Sequence, residues 1–352
     1  MNPSKTENHE EDATVQPSKA RALIGRPPNH WLWSSSPPTF DLTRPSPPDY
    51  PIPSPASSFK LSTTTTPILI DPFKAAIVII DMQNFFLSPS LGRSPTGAGN
   101  LAAKALLNDA IPAARRAGIR ILWLNWGLTD DEIAAMPPST CRAFGFEAAL
   151  EKEAKEKALP ALDPHGVNQA AAEHYMANKG GESKPEDMTE NGKPKRIFKG
   201  LGSEIGTVKL EDGTVVEAGR LLMRDTWNAA LTPELDNAYT EGLKLDMRPD
   251  VWIHKNRMSG LWGTTTPLQQ FLEEEGIRTL FFSGVNTDQC VGGTLQDAFT
   301  KGWDCVMLTD ACGTTSPGFS KESIEFNCAR TWGFVSSCGE LKDAIGNMTA
   351  TP

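Results

Sequence analysis

The feature that most constrains the fold is a series of short apolar runs that alternate with segments of helical length from Ala75 onward. Several of these runs are apolar at consecutive positions, as in the sequence AIVII that begins at Ala76. Strands of this kind are typical of a parallel sheet covered on both faces, because neither face of the strand meets water. The strands predicted in this way cover residues 76–81, 119–125, 251–255, 279–283, 304–309 and 333–336.

Helical segments fill the gaps between these strands, and several are followed closely by a glycine, which favours the end of a helix. The predicted helices cover residues 101–117, 268–275, 293–301 and 321–331. Pro112 is expected to kink or restart the first of them. We therefore expect an α/β fold, a three-layer α/β/α Rossmann-like open sheet of about six parallel strands with right-handed crossovers.

Residues 1–65 form a separate N-terminal segment that is rich in Pro, Ser and Thr. Its proline pairs, the first at Pro27-Pro28, hold the backbone extended and exclude a continuous helix. This composition predicts an arm that is extended or disordered, followed by one main domain over 66–352. The segment also contains a cluster of aromatic residues, Trp31, Trp33, Phe40 and Tyr50. Because exposed tryptophan is costly, an arm that packs on its own core or on a partner subunit is an equal alternative.

A long insertion, residues 128–249, separates the second and third predicted strands and greatly exceeds a normal connection. A charged helix is predicted over 147–158 and a mobile loop over 180–195. A hairpin is predicted with its turn at Asp212-Gly213. We expect the insertion to act as a lid or as an oligomerisation element.

Charge and cysteine usage limit the class of partner and compartment. The formal net charge is −9, and no basic block offsets it, so the charge disfavours nucleic acid and anionic membranes as partners. The six cysteines lack paired spacings or a CxxC motif, which favours a reducing compartment over a disulfide framework. No apolar run approaches the roughly 20 residues of a membrane span, and the first residues lack a secretory pattern. The sequence predicts a cytoplasmic protein.

Polar residues follow three of the predicted strands: Asp81, Lys255 and Cys290. The carboxyl ends of parallel strands meet at one edge of an open sheet, so these side chains are expected to lie together. There Asp81 would take the thiol proton, Lys255 would favour the charged pair, and Cys290 would attack a carbonyl or amidine carbon. The strand-to-helix turn around Cys290 also predicts a thiolate, because free N–H groups favour negative charge. Taken singly, Cys290 also fits a buried apolar side chain and Asp81 a helix cap.

Three motifs on these strand ends resemble the isochorismatase-like cysteine hydrolases. The motifs are IIDMQNFF at 79–86, HKNRMS at 254–259 and GVNTDQCV at 284–291. The resemblance implies a catalytic triad of Asp81, Lys255 and Cys290 and an acyl intermediate on the cysteine. It further implies an oxyanion hole made by the backbone N–H groups of Asn286 and Cys290, a cis peptide before Asn286, and a homodimer or homotetramer.

The segment after the second strand departs from the nicotinamidases of this family, which carry an Asp-x-His zinc motif there. This chain has Asn125-Trp126-Gly127 instead, so no metal is expected, and no cofactor is implied. The segment is closer to the ureidoacrylate amidohydrolase and biuret hydrolase side of the family. The residues expected to bind substrate are Gln83, Asn125, Trp126, Arg257 and Trp262. For Arg257, a substrate carboxylate and a salt bridge within its loop are equal alternatives.

The sequence thus predicts a hydrolase that cleaves a C–N bond, other than a peptide bond, in a small amide, ureido or carbamoyl substrate. One alternative is an isochorismatase-type vinyl ether hydrolase, a reaction that proceeds in this family without a nucleophilic cysteine. Another is a non-catalytic scaffold that binds a partner through the arm and the insertion. Neither the exact substrate nor the oligomeric state is encoded in the motifs, nor is whether the insertion closes the site in cis or in trans.

Overall fold

The computed structural model of the chain describes residues 20–44, 57–148, 161–166, 189–190, 193–194 and 198–348. Within these residues the strands are β1 (Arg21–Arg26), β2 (Asn29–Ser35), β3 (Pro38–Asp41), β4 (Phe59–Leu61), β5 (Ile68–Ile70), β6 (Ala75–Ile80), β7 (Arg120–Trp126), β8 (Phe146–Glu147), β9 (Ala161–Leu162), β10 (Thr189–Glu190), β11 (Lys193–Pro194), β12 (Thr207–Lys209), β13 (Val215–Glu217), β14 (Val251–Lys255), β15 (Thr279–Val285), β16 (Asp304–Gly313) and β17 (Phe334–Ser336). The α-helices are α1 (Asn84–Leu87), α2 (Ala98–Ala105), α3 (Ile111–Ala117), α4 (Asp130–Ala134), α5 (Pro138–Ala143), α6 (Pro233–Leu243), α7 (Pro267–Glu274), α8 (Gly292–Lys301), α9 (Gly318–Asn327) and α10 (Cys338–Met348). None of the helices described here is long and apolar enough to cross a bilayer.

The central sheet contains six of the described strands, in the order β14-β7-β6-β15-β16-β17. Every neighbouring pair in it is parallel. The structure therefore confirms the predicted α/β fold. The predicted strand bounds are correct to within a residue or two, except that β15 and β16 extend further, to Val285 and Gly313.

Both faces of this sheet are apolar, which is why its strands are apolar at consecutive positions. Val78 and Ile80 of β6 belong to the apolar cluster on one face, and Ile77 and Ile79 belong to the cluster on the other. Every residue of β6, β7 and β15 is buried. Burial on both sides is the arrangement that favours parallel strands covered by helices.

The order in which the chain adds strands to the sheet reverses between β6 and β15, although the strands themselves stay parallel. From β6 the chain proceeds to β7 and β14 on one side, whereas from β15 it proceeds to β16 and β17 on the other. In open α/β sheets, ligands bind in the crevice at such a reversal, outside the carboxyl ends of the strands. The segments that follow β6 and β15 contain Asp81 and Cys290.

The predicted helix over 101–117 is a helical stretch in three parts. A π-helical turn, Leu106–Ala110, connects α2 to α3. Pro112 lies in the first turn of α3, where its missing N–H is not needed by the helix. Gly118 ends α3 with a φ of 78°, as its position predicted. The structure thus confirms that the helix restarts at Pro112.

A second sheet is formed by β1, β2, β3, β5 and β4 of the described chain. Its strands β1 to β4 come from the predicted arm, residues 1–65, and Pro27-Pro28 lies in the turn between β1 and β2. Residues 1–19 and 45–56 of the arm lie outside the described residues. Tyr50 is among them.

This second sheet contacts the core at the start of β16. The indole Nε1 of Trp31 donates to the Asp304 carboxylate at 2.8 Å, and its ring centroid lies 5.7 Å from that of Phe334. Arg44 donates to both oxygens of Asp304, at 2.6 and 2.7 Å. The contact lies at the amino end of β16, away from the crevice described above.

The described part of the insertion includes α4 to α6 and the β12–β13 hairpin. The hairpin is confirmed, with a turn in which the Asp212 carboxylate accepts from the Thr214 N–H at 2.8 Å. The predicted helix over 147–158 and the loop over 180–195 lie mostly outside the described residues. Insertion residues such as Leu128 and Leu222 share an apolar cluster with Phe85 and Cys290, so the insertion packs on the crevice.

Candidate active site

Asp81, Lys255 and Cys290 lie at the carboxyl ends of three strands of the central sheet. Asp81 follows β6 with a φ of 54°, and its N–H donates to the Leu124 carbonyl at 3.0 Å. Lys255 is the last residue of β14. Cys290 lies in a π-helical turn, Thr287–Val291, that directly follows β15 and precedes α8.

The three side chains contact one another through the lysine. Lys255 Nζ is 3.0 Å from Asp81 Oδ2 and 3.5 Å from Cys290 Sγ. The side chains of Lys255 and Asp81 are only 2% and 0% exposed, and Cys290 is 6% exposed. A buried charge needs a partner, and here the ammonium and the carboxylate supply one to each other.

Gly284 permits this close arrangement of β6 and β15. It pairs with Ile80 across the two strands and has a φ of 112°, a backbone conformation that residues other than glycine rarely adopt. A Cβ at this position would overlap the carbonyl oxygen of Ile80. The residues that follow Ile80 and Gly284 in the two strands lead directly to Asp81 and Cys290.

The carboxyl group of Asp81 has competing influences on its pKa. Burial raises the pKa above its ordinary value of 3.8, whereas the Lys255 ammonium and hydrogen bonds lower it. The backbone N–H of Trp126 donates to Asp81 Oδ1 at 3.1 Å. The raised pKa brings this carboxyl group closer to the range in which a general base works at neutral pH.

The thiol of Cys290 is protonated at neutral pH. Burial raises its pKa to about 12; the Lys255 charge acts against this increase, and the Asp81 charge adds to it. The prediction of a resting thiolate from the strand-to-helix turn is therefore wrong. Loss of solvent outweighs the potential at a helix end, because Cys290 lies inside the turn and beneath packed side chains.

Asn286 lies between β15 and the turn that contains Cys290. Its peptide bond to Val285 is cis, as the resemblance implies. Its carbonyl accepts from the N–H groups of Gln289 and Val291, at 3.0 and 3.2 Å, which fixes the start of the turn. The backbone around Asn286 and Cys290 is therefore held in one conformation beside the thiol.

Trp126 and Gln83 are both buried beside Asp81. Gln83 Nε2 donates to the carbonyls of Trp126 and Ala229, at 2.7 and 2.6 Å, and its Oε1 accepts from the Trp126 N–H at 3.1 Å. Both N–H donors of Gln83 are thus committed to the backbone. The ring centroid of Trp126 lies 3.9 Å from Lys255 Nζ.

Asn125 lies next to Trp126 in β7 but on the other face of the strand. Successive side chains of a strand alternate, and Trp126 belongs to the apolar cluster of Cys290, whereas Trp123 belongs to the opposite cluster. Strand alternation therefore places Asn125 on the Trp123 side. Its side-chain amide is fully buried, and neither of its polar atoms has a hydrogen-bond partner in the described residues.

The position two residues after Asn125 leaves no space for a further side chain. A Cβ at Gly127 would overlap the imidazole of His254. His254 accepts from the indole Nε1 of Trp252 at 3.3 Å, and burial lowers its pKa, so the ring is neutral at neutral pH. In the ranges that the structure describes, His, Cys, Asp and Glu side chains form no group of three suited to a metal ion.

Arg257 and Trp262 lie further from the thiol, in the segment that follows β14. The guanidinium of Arg257 is 4.8 Å from the ring centroid of Trp262. Its Nη groups donate to the carbonyls of Asn256 and Ala135, at 2.7 and 3.3 Å, and to Met136 Sδ. These contacts join the β14 segment to the insertion.

Two cavities adjoin this end of the edge strand β14. One, of about 260 Å³, is lined by Lys255 together with Glu132, Arg224, Asn256 and Trp262 among others. The other, of about 430 Å³, is lined by Trp126, Trp227 and Trp252 with Asp225 among others. Arg224, Trp252 and His254 line both cavities.

Glu132 and Arg224 of the insertion were not among the predicted site residues. Glu132 Oε1 accepts from the Asn256 side chain at 2.9 Å, and Arg224 Nε donates to the Gly127 carbonyl at 2.9 Å. Thr129 and Glu132 form a capping box at the start of α4, a pattern readable from the sequence. For Arg224 the sequence offers no comparable signal.

Residues 212–329 match the family model described as the isochorismatase domain. The matched range includes Lys255 and Cys290, whereas Asp81 precedes it.

Several solved structures resemble this chain over about three quarters of its length, with TM-scores below 0.5. A cysteine hydrolase from Pseudomonas syringae pv. phaseolicola 1448A is 15% identical, with a TM-score of 0.45, over 79% of this chain and 95% of that chain. An isochorismatase family protein from Desulfovibrio vulgaris subsp. vulgaris str. Hildenborough is 20% identical, with a TM-score of 0.44, over 78% of this chain and 98% of that chain. The nicotinamidase PncA from Bacillus subtilis is 15% identical, with a TM-score of 0.45, over 75% of this chain and 99% of that chain. At such identities a structural likeness says nothing about substrate. The family match thus makes residues 212–329 of this chain similar to an isochorismatase domain.

Proposed function

We propose that this protein is a cysteine hydrolase that cleaves the C–N bond of a small amide, ureido or carbamoyl compound. Cys290 is the nucleophile, Asp81 the general base and Lys255 the electrostatic partner of both. The observation that supports this assignment best is the position of Lys255 Nζ, 3.0 Å from Asp81 Oδ2 and 3.5 Å from Cys290 Sγ in a buried site.

The reaction begins with a neutral thiol, because the pKa of Cys290 is about 12. As Sγ attacks the carbonyl carbon, the thiol proton passes to the Asp81 carboxylate, and the carbonyl π electrons move to oxygen. Lys255 stays charged beside the new C–S bond. Proton transfer during attack avoids a free thiolate, which burial disfavours at this position.

The tetrahedral oxyanion is held by the backbone N–H groups of Asn286 and Cys290 in this proposal. When it collapses, the C–N bond breaks, and the leaving nitrogen takes the proton from Asp81. Water then attacks the acyl group on Cys290 and gives a proton to Asp81, and the sulfur leaves and recovers that proton. The net change is the addition of one water to one amide bond.

The substrate reaches Lys255 through the cavity of about 260 Å³ at the edge strand. This volume is slightly below the range of pockets that hold drug-sized ligands, which favours a small substrate. Its lining combines Lys255 with Asn256, Glu132 and Arg224, and the last three have side chains that hydrogen-bond to amide or ureido atoms.

In this proposal the described part of the insertion, within residues 128–148 and 198–249, closes the site in the same chain and acts as its lid. Phe144 of the insertion packs edge-to-face on Trp126, with ring centroids 5.2 Å apart. Glu132 bonds Asn256 next to Lys255 at 2.9 Å. Both contacts cover the carboxyl ends of β7 and β14.

The test is turnover of a panel of small amides and ureides, followed as release of ammonia or amine. Cys290→Ala is expected to lower the rate by at least about a thousand-fold, because the nucleophile is lost. The matched control is Cys312→Ala: this thiol is also buried, belongs to the same apolar cluster, and has no part in the reaction. It is expected to retain the parent rate after correction for folded protein.

Turnover that survives Cys290→Ala would overturn the proposal and would favour a reaction without a nucleophilic cysteine, such as vinyl ether hydrolysis. Equal losses in both cysteine variants would show that packing, and not chemistry, explains the effect. No turnover of any panel member by the parent enzyme would exclude the proposed substrate class.

A further inference from the structure

The side chain of Lys255 is buried, and its ammonium has four close neighbours in the described residues. It forms an ion pair with Asp81 Oδ2 at 3.0 Å and donates to the Arg257 carbonyl at 3.1 Å and to Cys290 Sγ at 3.5 Å. The ring of Trp126 covers a further side, with its centroid 3.9 Å from Nζ. A cation over the face of an indole is attracted by the ring's quadrupole, and most strongly where water is absent.

Trp126 also contacts the other charged group of the pair. Its backbone N–H lies 3.1 Å from Asp81 Oδ1 and 3.1 Å from Gln83 Oε1, and its carbonyl accepts from Gln83 Nε2 at 2.7 Å. Gln83 therefore fixes the peptide unit of Trp126. One immobile residue thus supplies a donor to the carboxylate and an aromatic face to the ammonium.

We propose that Trp126 is a positioning residue of the reaction, whose ring keeps the Lys255 ammonium between Asp81 and Cys290. This role rests on the function proposed above. The contact with Sγ is the longest of the three polar contacts of Nζ, so it is the first to lengthen when the ammonium is free to move. Without the ring, Nζ relaxes toward Asp81 and the Arg257 carbonyl, and the sulfur loses its counter-charge during attack.

Trp123 is the matched control for this inference. It lies three positions earlier in the same strand, is also fully buried, and faces the opposite apolar cluster. Its indole Nε1 donates at 2.9 Å to Asp250 Oδ2, which precedes the amino end of β14, whereas Lys255 ends that strand. Loss of a buried indole is therefore comparable at the two positions, whereas the contact with Lys255 is not.

The experiment measures the rate of alkylation of Cys290 by iodoacetamide, using intact mass and peptide mapping on the full-length protein. All variants carry Cys141→Ser, because Cys141 is the half-buried thiol of the described chain and would react first. The series is the Cys141→Ser parent, Trp126→Leu, Trp126→Phe and Trp123→Phe, each measured between about pH 6 and about pH 9, a range below the pKa of the Cys290 thiol.

We expect Trp126→Leu to slow alkylation by about ten-fold and to displace the pH profile to higher pH, because the counter-charge is lost. Trp126→Phe is expected to recover most of the rate, to within about three-fold of the parent, since phenylalanine retains an aromatic face. Trp123→Phe should remain within about two-fold of the parent, with an unchanged profile.

A Trp126→Leu variant with the parent rate and profile would overturn the inference while leaving the proposed function intact. Equal slowing in Trp123→Phe would do the same. If Cys290 of the parent reacts no faster than Cys312, the proposed function fails, and the role of Trp126 fails with it. Should Trp126→Leu not fold, Trp126→Met against Trp123→Met decides the inference, with slowing at position 126 alone expected, because methionine has no aromatic face.

Discussion

Replacing Lys255 with methionine removes a buried charge while nearly preserving side-chain length, and so tests the charge arrangement of the site. In the parent, Nζ lies 3.0 Å from Asp81 Oδ2, and the two side chains are 2% and 0% exposed. In Lys255→Met the Asp81 carboxylate stays buried, with the Trp126 N–H still donating to it. Breaking a buried pair by removing one partner costs about 3–5 kcal/mol in unfolding free energy.

The stability lost in Lys255→Met should increase as the pH rises. Burial already raises the pKa of Asp81, and Lys255 opposes that increase, so the pKa rises further without the lysine. A group whose folded pKa is raised contributes stability at low pH, and this contribution is lost as pH rises through the folded pKa. The deficit of Lys255→Met should therefore grow with pH, by about 1.4 kcal/mol for each unit of additional pKa increase.

The assay is equilibrium unfolding in guanidinium chloride at several pH values, applied to Lys255→Met, Asp81→Asn and the double variant. The double variant contains no buried charge at this position and should recover most of the lost stability, yet it should not recover alkylation of Cys290. Lys244→Met is the control, because Lys244 pairs with Glu241 on the surface and should change stability by less than about 1 kcal/mol. A Lys255→Met protein as stable as the parent, or a deficit independent of pH, would refute the ionised pair.

Further predictions concern the backbone at Gly284, the N-terminal sheet, and the rate at which Cys290 is alkylated at low pH. Gly284→Ala should destabilise the protein by more than about 4 kcal/mol, because its Cβ overlaps the Ile80 carbonyl oxygen. Gly276 has a φ of 65° and open space around it, so Gly276→Ala should lower the free energy of unfolding by only about 1 kcal/mol. Similar melting temperatures for Gly284→Ala and Gly276→Ala in thermal unfolding would contradict this account. Arg44→Ala should lower the free energy of unfolding by about 3–5 kcal/mol, because Asp304 stays buried without its ion-pair partner. Cys290 of this variant should still be alkylated at the parent rate. A large loss of reactivity would instead show that the two ends of the sheet are coupled. Alkylation of Cys290 should fall as pH drops through the raised pKa of Asp81, with a midpoint above 3.8, and a midpoint at or below that value would contradict the buried base.

The central sheet was predictable from the sequence because burial on both faces requires apolar residues at consecutive positions. Polar residues at the ends of such runs stand out, which is why Asp81, Lys255 and Cys290 were singled out. Strand alternation could also have assigned Asn125 to the face opposite Trp126, since both lie in one strand. That step needed the strand's end to be known to within a residue, and a shift of one residue reverses every face.

The N-terminal sheet was less predictable because its prolines admit more than one conformation. Pro27-Pro28 favours extended backbone, but it also suits the turn between two strands, where the structure places it. The strands on either side pair with each other and reach Asp304 through Trp31 and Arg44. Contacts between residues some 260 positions apart leave no local pattern in the sequence.

The protonation state of Cys290 was wrongly predicted for a similar reason. The turn that contains it is local, and its effect on a thiol is readable from sequence. The burial that raises its pKa to about 12 comes from distant segments, including the insertion that shares its apolar cluster. Desolvation of this kind depends on tertiary packing and outweighs the local field.

The measurement that tests the central claim most directly is iodoacetamide alkylation of Cys290 in Cys141→Ser protein, with and without Asp81→Asn. As a nearby negative charge, Asp81 raises the pKa of the thiol, so its neutralisation would by charge alone speed the reaction. As a general base, Asp81 accepts the thiol proton, so its neutralisation should slow the reaction. The account predicts alkylation slower by about ten-fold or more in Asp81→Asn, with folding retained. An unchanged or faster reaction would contradict the assignment of Asp81 as the base that activates Cys290.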